Sequence, residues 1–484
     1  MKTIHIHSPW RVAVTVVCLI TIMSGCSPFK PTPRVEPMAP LPVAFTMYSD
    51  DEPDPGKWWK DFGNAELNSM VEKALAANFD IEQAWSTLRQ LGASATQASA
   101  DKYPTLDMTG DYSHTREHDG DARKTTRTEN HSIGLSAGYE VDLWGRIQAN
   151  ANSGDLDYLA SREDLHTVAM TVAGEVVEHW LEIQTQRKKK RIVQEQIKAN
   201  KTYLELIELR FRNSISTALD VYQQRQNLAQ VTALLPPIES EEQLLMHELA
   251  LLMGQPVGSI EVSDAELPEL GELPGLGLPA DLLANRPDIR AAGMNLSSAD
   301  WLVSAARADR LPSLSLTGTG AYSGTQLATV FNNWALGLAA SIVGPIFDGG
   351  YREAEVEKAR GVVDERLSVY KETVYTAFKE VEDALVQEKW QRKYVDDRNL
   401  QLDAARTSLS EAISRYIQGL DDYLPVLSAL LSVQELEISM AEEQTNLLLY
   451  RVALHRALGG TWADSMEPPV ADTPSSDTPT SNEG

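Results

Sequence analysis

The chain has 484 residues, 43% of them hydrophobic, a composition that excludes wholesale disorder and leaves room for more than one domain. Asp plus Glu number 69 against 43 Lys plus Arg, and the net charge of -26 argues against a nucleic-acid partner, because like charges repel. Beyond the N-terminal apolar run, nothing approaches the roughly 20 consecutive apolar residues of a spanning helix, so a membrane crossing by this chain requires strands.

Residues 1–25 carry the marks of a secretory signal: Lys2 and Arg11, an apolar stretch over 12–23, then the small Ser24 and Gly25. Cys18 leaves with that signal, so Cys26 is the sole cysteine of the mature chain and no internal disulfide forms. Over 26–57, Pro28, Pro31, Pro33, Pro37, Pro40, Pro42, Pro53 and Pro55 deny a regular helix and favour an extended tether. Trp58 and Trp59 open the folded part, and Leu67, Val71, Leu75, Ile81, Leu88 and Leu91 recur at helical spacing up to Asp101, with a break expected near Asn78 and Asp80.

Laid on itself, the chain is two copies of one unit. At an offset of about 208, Asp80, Ile81, Leu88, Asp101, Pro104 and Gly110 fall on Asp288, Ile289, Leu296, Asp309, Pro312 and Gly318; at about 205, Arg210, Leu219, Val221 and Gly254 fall on Arg415, Leu424, Val426 and Gly459. The first repeat spans 58–270 and the second 271–462, with Leu267 to Pro279 as the linker and 463–484 as a polar, disordered tail.

Each copy carries two strands. Residues 132–143 alternate without a break, with Ile133, Leu135, Ala137, Tyr139, Val141 and Leu143 on one face and Ser132, Gly134, Ser136, Gly138, Glu140 and Asp142 on the other. Taken alone, that stretch fits a half-buried strand of a soluble sandwich as well as a transmembrane stave. The strand at 105–115 pairs with it across a polar loop, 116–131, and the second copy repeats the pair at 313–322 and 333–343. Four staves leave two open edges whose backbone lipid cannot satisfy, so strands in lipid must be shared between chains. Two chains give eight strands and a filled interior; three give twelve and room for a pore.

Long proline-free helices follow each pair, over 146–213 and 351–418. In the second, Val395, Leu402, Leu409 and Tyr416 step by seven, the spacing of a coiled coil. At 1.5 Å per residue each reaches roughly 100 Å and must pack along something of similar length. Return helices over 219–253 and 420–458, with helices near 65–101 and 281–310, supply it. The fold class is therefore membrane α+β with an internal duplication, its strands read as staves of a β-barrel shared between chains and followed by long coiled-coil helices. Enzyme chemistry finds no foothold: there is no HExxH, His114, His118 and His131 are scattered polar residues, and Arg187 to Arg191 spreads charge around a helix beside acidic neighbours. No catalytic residue, metal site or cofactor is expected.

These features in combination resemble the TolC-like outer membrane efflux factors, closest to the lipidated branch that serves resistance-nodulation-division (RND) pumps. The motifs are Val141-Asp142-Leu143-Trp144-Gly145-Arg146 after one stave, Gly344-Pro345-Ile346-Phe347-Asp348-Gly349-Gly350 after the other, and the Arg-aromatic turns beyond the long helices. Met23-Ser24-Gly25-Cys26 is similar to a bacterial lipobox, which implies lipidation of Cys26, and Ser27 after it implies the outer membrane. The resemblance implies a homotrimer, whose twelve-stranded β-barrel is continued by a coiled-coil barrel of twelve helices, with a periplasmic membrane-fusion adaptor and an inner-membrane RND-type pump as partners. It places adaptor docking at the tips, Arg210, Phe211, Ser214 and Thr217 in copy one and Arg415, Tyr416, Gly419 and Asp422 in copy two, with Ser214 where glycine is expected. It places a periplasmic gate at Asp421, Asp422, Leu424 and Ser428. Gly419 suits a left-handed helix end, and Asp421 or Asp422 suits the cap of the next helix. The expected function is a passive exit conduit; the competing readings are the exit duct of type I protein secretion and a lipid-anchored coiled-coil scaffold with no pore.

Overall fold

A computed structural model describes residues 28–32, 39–46 and 56–466. The signal, Cys26 and residues 467–484 lie outside the described residues. The longer helices are α1 (Ala65–Ala77), α2 (Phe79–Ala100), α3 (Arg146–Arg212), α4 (Ala218–Thr232), α5 (Leu235–Leu252), α6 (Pro287–Ala308), α7 (Tyr351–Ile417) and α8 (Tyr423–Leu458), with a single turn of helix at Leu282–Asn285, and the strands are β1 (Thr105–Asp119), β2 (Lys124–Val141), β3 (Ser313–Gly324) and β4 (Trp334–Val343). The contacts divide the chain into two compact units, one containing Thr87–Arg162 with Ala291–Glu372, the other Ala39–Ser86, Glu163–Arg290 and Thr373–Gly484.

The first unit is built on one antiparallel sheet in the order β1-β2-β3-β4. Residues directly opposite in such a sheet share a face. The register therefore lines up Leu106, Ala137, Gly318 and Leu338 in one row, Met108, Leu135, Gly320 and Leu336 in the next, and Gly110, Ile133, Tyr322 and Trp334 in a third. Rows Tyr139-Leu316-Ala340 and Val141-Leu314-Ile342 continue the same face. Apolar residues of four strands thus form one surface, about 26 Å tall along the strand at 3.3 Å per residue. Leu336 and Leu338 lie over Gly320 and Gly318, where a Cβ would approach their methyls to 3.0 and 3.4 Å. Leu338 is 94% exposed and Leu336 78%, so nothing among the described residues covers the surface they form.

The polar loop expected over 116–131 is instead strand. β1 and β2 pair without interruption to Asp119↔Lys124, leaving a tight turn in which the Asp119 carboxylate accepts from the backbone N–H of Asp121 and Ala122. The residues are exposed and polar on both faces, and polarity hides a strand whose backbone still pairs with its neighbour. At its other end β2 stops at Val141, two residues short of the expected Leu143.

In the second unit the long helices find their partners. Val374, Ala377, Val381 and Leu385 are buried, as are Val395, Leu402 and Tyr416. Val395 and Leu402 pack with Val433, Leu436 and Met440 of α8. By composition α8 is the one described helix long and apolar enough to cross a membrane, but its apolar residues serve this coiled-coil packing. Asn78 ends α1 and starts α2: its N–H donates to Ala74 while its side chain accepts from Asp80 and Ile81. The first return segment is not one helix. It breaks between Thr232 and Leu235, because Pro236 and Pro237 can sit in the first turn of α5 but not inside a continuous helix. Pro425 sits in the first turn of α8, which stays unbroken. Trp59, fully buried, packs edge-on against Trp462 with ring centroids 4.8 Å apart, tying the start of the described body to its end.

Candidate functional site

Three places carry functional potential: the sheet, the helix tips and a buried charge cluster. On the sheet's second face stand Asp107, Asp111, Glu117 and Asp119 of β1 with Lys124, Ser132, Ser136 and Glu140 of β2. This face is hydrophilic and acidic where the other is apolar. At the foot of β2, Glu140 accepts from Arg146 at 2.9 Å, and the Trp144 indole N–H donates to the Pro312 carbonyl at 2.7 Å, so the VDLWGR segment pins strand to helix.

The two tips share one motif. In copy one Ile215 N–H donates to the Arg210 carbonyl and Ser214 N–H to Phe211; in copy two Leu420 donates to Arg415 and Gly419 to Tyr416, the paired bonds of a Schellman helix end. That motif requires a left-handed residue, and Gly419 at φ 76° and Ser214 at φ 59° both adopt it. Ser214 takes the glycine's conformation at a steric cost of about 1 kcal/mol. Ser214→Gly should therefore raise the thermal midpoint and Ser214→Val lower it, read by circular dichroism melts.

Beyond these turns the copies differ. Thr217 caps α4 in a reciprocal capping box with Asp220. Asp422 occupies the matching position before α8, but its side chain makes no capping bond, and Asp421 does not cap either. Arg415 claims Asp421, with Nε 2.6 Å from Oδ2, and that hydrogen bond holds the carboxyl below its ordinary range. Copy one has Ser216 in place of Asp421, and Arg210 turns instead to copy two, lying 4.4 Å from the centre of the Tyr416 ring. Tyr416 is buried with Ile207, Val221, Tyr423 and Val426, whereas Phe211, its counterpart, is 45% exposed. Leu424 and Ser428 lie one turn apart on the exposed side of α8, away from buried Tyr423, Val426 and Leu427.

Sequence reasoning missed the polar cluster beneath these tips. The Tyr423 hydroxyl donates to Gln224 Oε1 at 2.6 Å, and Gln224 and Asn227 both donate to Asn200, all buried. Amides interrupting an apolar seam at Asn200, Gln224 and Asn227 were its visible signal.

A third cluster joins Glu163, His166 and Asp464, three ligand-type side chains within metal-binding distance of one another. Arg290 already supplies the cation, pairing with Glu163 at 2.5 Å and Asp464 at 2.9 Å, so the donor set is a charge network. Burial pushes the Glu163 carboxyl up, but hydrogen bonds from His166 and Arg290 outweigh it and hold the value at about 2. A depressed carboxylate contributes stability that is present above its unfolded pKa and lost as pH falls through the folded one. Acidification from about pH 5 to about pH 2 should destabilise this unit, and Glu163→Gln should flatten that dependence in melts across the window. The basic run likewise pairs off: Arg187 with Glu242, Lys189 with Glu442, Lys190 with Glu239 and Arg191 with Asp264.

A sheet apolar on one face and acidic on the other, in a chain that also carries two helices of 67 residues, fits an outer-membrane channel subunit. The profile of the outer membrane efflux protein family matches residues 70–255 and 278–460, and the chain belongs to that family. It is 31% identical over 463 residues to the pyoverdine export outer membrane protein OpmQ of Pseudomonas putida, covering 92% of this chain and 97% of that one. It is 30% identical to the solvent efflux pump outer membrane protein SrpC of the same species, over 84% of this chain and 87% of that one. It is also 25% identical to the cation efflux system protein CusC of Escherichia coli, over 92% and 98%. Among solved structures, the outer-membrane channel OprN superposes with a TM-score of 0.85 at 26% identity, covering 90% of this chain and all of that one. The protein is thus an outer-membrane channel of a tripartite, RND-type efflux system, with a long periplasmic helical extension, and a passive conduit with no catalytic role.

Proposed function

We propose that three copies close one twelve-stranded barrel, that Cys26 carries a lipid anchor as in the lipoprotein branch of the family, and that the helix tips receive a periplasmic adaptor coupled to an inner-membrane RND pump. The observation that carries this reading is the sheet itself. Among the described residues neither the outer edge of β1 nor that of β4 has a strand partner, and open edges have no place in lipid. Joining β4 of one copy to β1 of the next satisfies both edges, and twelve strands leave a water-filled lumen where eight would not.

Ser136 and the acidic residues of the second face then line water, and Leu135, Leu336 and Leu338 meet lipid. The exposed apolar side chains at the tips, Phe211, Ile215 and Tyr222 beside Ile417 and Leu420, supply contact area for the adaptor. Leu424 and Ser428, repeated around the axis with Asp422, narrow the periplasmic entrance; Asp421 contributes through its ion pair to Arg415 and not as a free carboxylate. The proposed domain scheme is signal 1–25, tether 26–57 and repeats 58–270 and 271–462, with the expected start of the tail at 463 corrected: Trp462–Ser465 forms a short helix that buries Ala463 and brings Asp464 to Arg290. The relatives' names mention pyoverdine, solvents and cations, so their names point to no single cargo for this chain.

Mass measurement of the detergent-extracted protein together with planar-bilayer recording tests the proposal. A trimer that conducts, with a preference for cations from the acidic face, is the expected result. A monomer without conductance would instead favour the coiled-coil scaffold. Deletion of the chain, followed by challenge with antibiotics, solvents and metals, reports the cargo class, and secretion of a protein with unchanged tolerance would favour the type I duct.

A further inference from the structure

Above the apolar rows the hairpin of β1 and β2 continues upward, and its two faces part company in charge. The face continuous with Leu106, Met108 and Gly110 carries Tyr112, His114, Arg116 and His118 on β1, and Arg127, Glu129 and His131 on β2. The opposite face carries Asp111, Glu117 and Asp119 with the single cation Lys124. Arg116 stands directly across from Arg127, an arrangement that like charges make unfavourable, and among the described residues neither guanidinium forms an ion pair. The neighbouring side chains do not neutralise them: Glu129 is 3.3 Å from His114, and His118 bonds to Thr125 at 3.0 Å.

Height decides what such a pair meets. The Arg116 row lies about 13 Å along the strand beyond the Tyr112 row, which, with Tyr322 and Trp334 one row or so below, forms an aromatic girdle at the end of the apolar band. That is the depth of lipid headgroups, on the side that faces lipid. Two unpaired guanidiniums there match the geometry and charge of a phosphate group. We propose that Arg116 and Arg127 form an outward-facing clamp for the phosphate of a phosphorylated glycolipid of the outer leaflet. The lipid cancels the repulsion across the hairpin and fixes the hairpin's height in the membrane. The proposal rests on the assignment of the apolar face to lipid.

Native mass spectrometry of the full-length protein in detergent, titrated with bisphosphorylated lipid A and with fully dephosphorylated lipid A, tests it. The unaltered protein should prefer the phosphorylated form by at least about tenfold. The double variant Arg116→Gln/Arg127→Gln should lose that preference while Lys124→Gln, on the other face, keeps it. Because removing facing like charges relieves repulsion, the double variant should melt no lower than the parent. Retention of the preference by the double variant, or its loss in Lys124→Gln, overturns the clamp, and displacement of lipid A by equimolar inorganic phosphate assigns a free-phosphate site instead. Bilayer conductance keeps the two readings apart: a parent protein that fails to conduct refutes the channel, whereas lost lipid preference with intact conductance is the result expected of the clamp variant.

Discussion

Leu135→Arg should reduce membrane assembly far more than Ser136→Arg, although the two positions are adjacent. Leu135 shares its row with Met108, Gly320 and Leu336, on the apolar face assigned above to lipid. An arginine near the middle of a lipid-facing strand surface costs about 2–4 kcal/mol, and each chain of an oligomer bears it again. Ser136 lies among Asp107, Thr319 and Gly337 on the watered face, where a guanidinium keeps its solvent and has Asp107 directly opposite. Heat-stable oligomer in outer-membrane fractions, quantified for both variants, checks the prediction, and equal assembly would reverse the assignment of faces.

Arg451→Ala should produce the largest loss of stability in the helical unit. Its guanidinium grips Glu388 with two bonds, Nε to Oε2 at 2.8 Å and Nη2 to Oε1 at 2.7 Å, while Nη1 donates to the Glu272 carbonyl at 2.7 Å. Both side chains are more than nine-tenths buried. Removing Arg451 leaves the buried Glu388 carboxylate only the half-exposed Arg392, 3.2 Å away, as partner, a penalty of up to about 3–5 kcal/mol, whereas replacing both members with apolar residues of similar volume is commonly near neutral. The melting temperature of Arg451→Ala should fall steeply and that of Arg451→Met/Glu388→Leu should recover most of the difference. A double variant as unstable as the single one would show that the carbonyl contact, and not the ion pair, matters.

The two experiments probe different layers of information. The faces of the sheet could be read locally, since Ile133, Leu135 and Ala137 alternate with Gly134, Ser136 and Gly138 whatever the partner strand. The long helices were equally open to reading, because the step of seven from Val395 to Tyr416 specifies a seam before any neighbour is known. Pro236 and Pro237 announced the break in the first return segment, and the periodicity around them masked it. The hairpin over 116–131 was hidden for another reason: a strand polar on both faces has no alternation to show. No pattern of spacing announced that Arg415 would take Asp421 from its capping role, or that Arg210 would lie on Tyr416, 206 positions away.

The sequence by itself determined the duplication, the four amphipathic staves, the paired 67-residue helices and the need for partner chains, since each follows from periodicity along the chain or from the open edges of a four-stranded sheet. Only the tertiary structure decided which apolar residues share a row, which tip is buried and which exposed, and which charges are already paired. Those outcomes depend on register and on contacts between residues far apart in sequence, where a shift of one residue would turn every side chain of a strand to the opposite face.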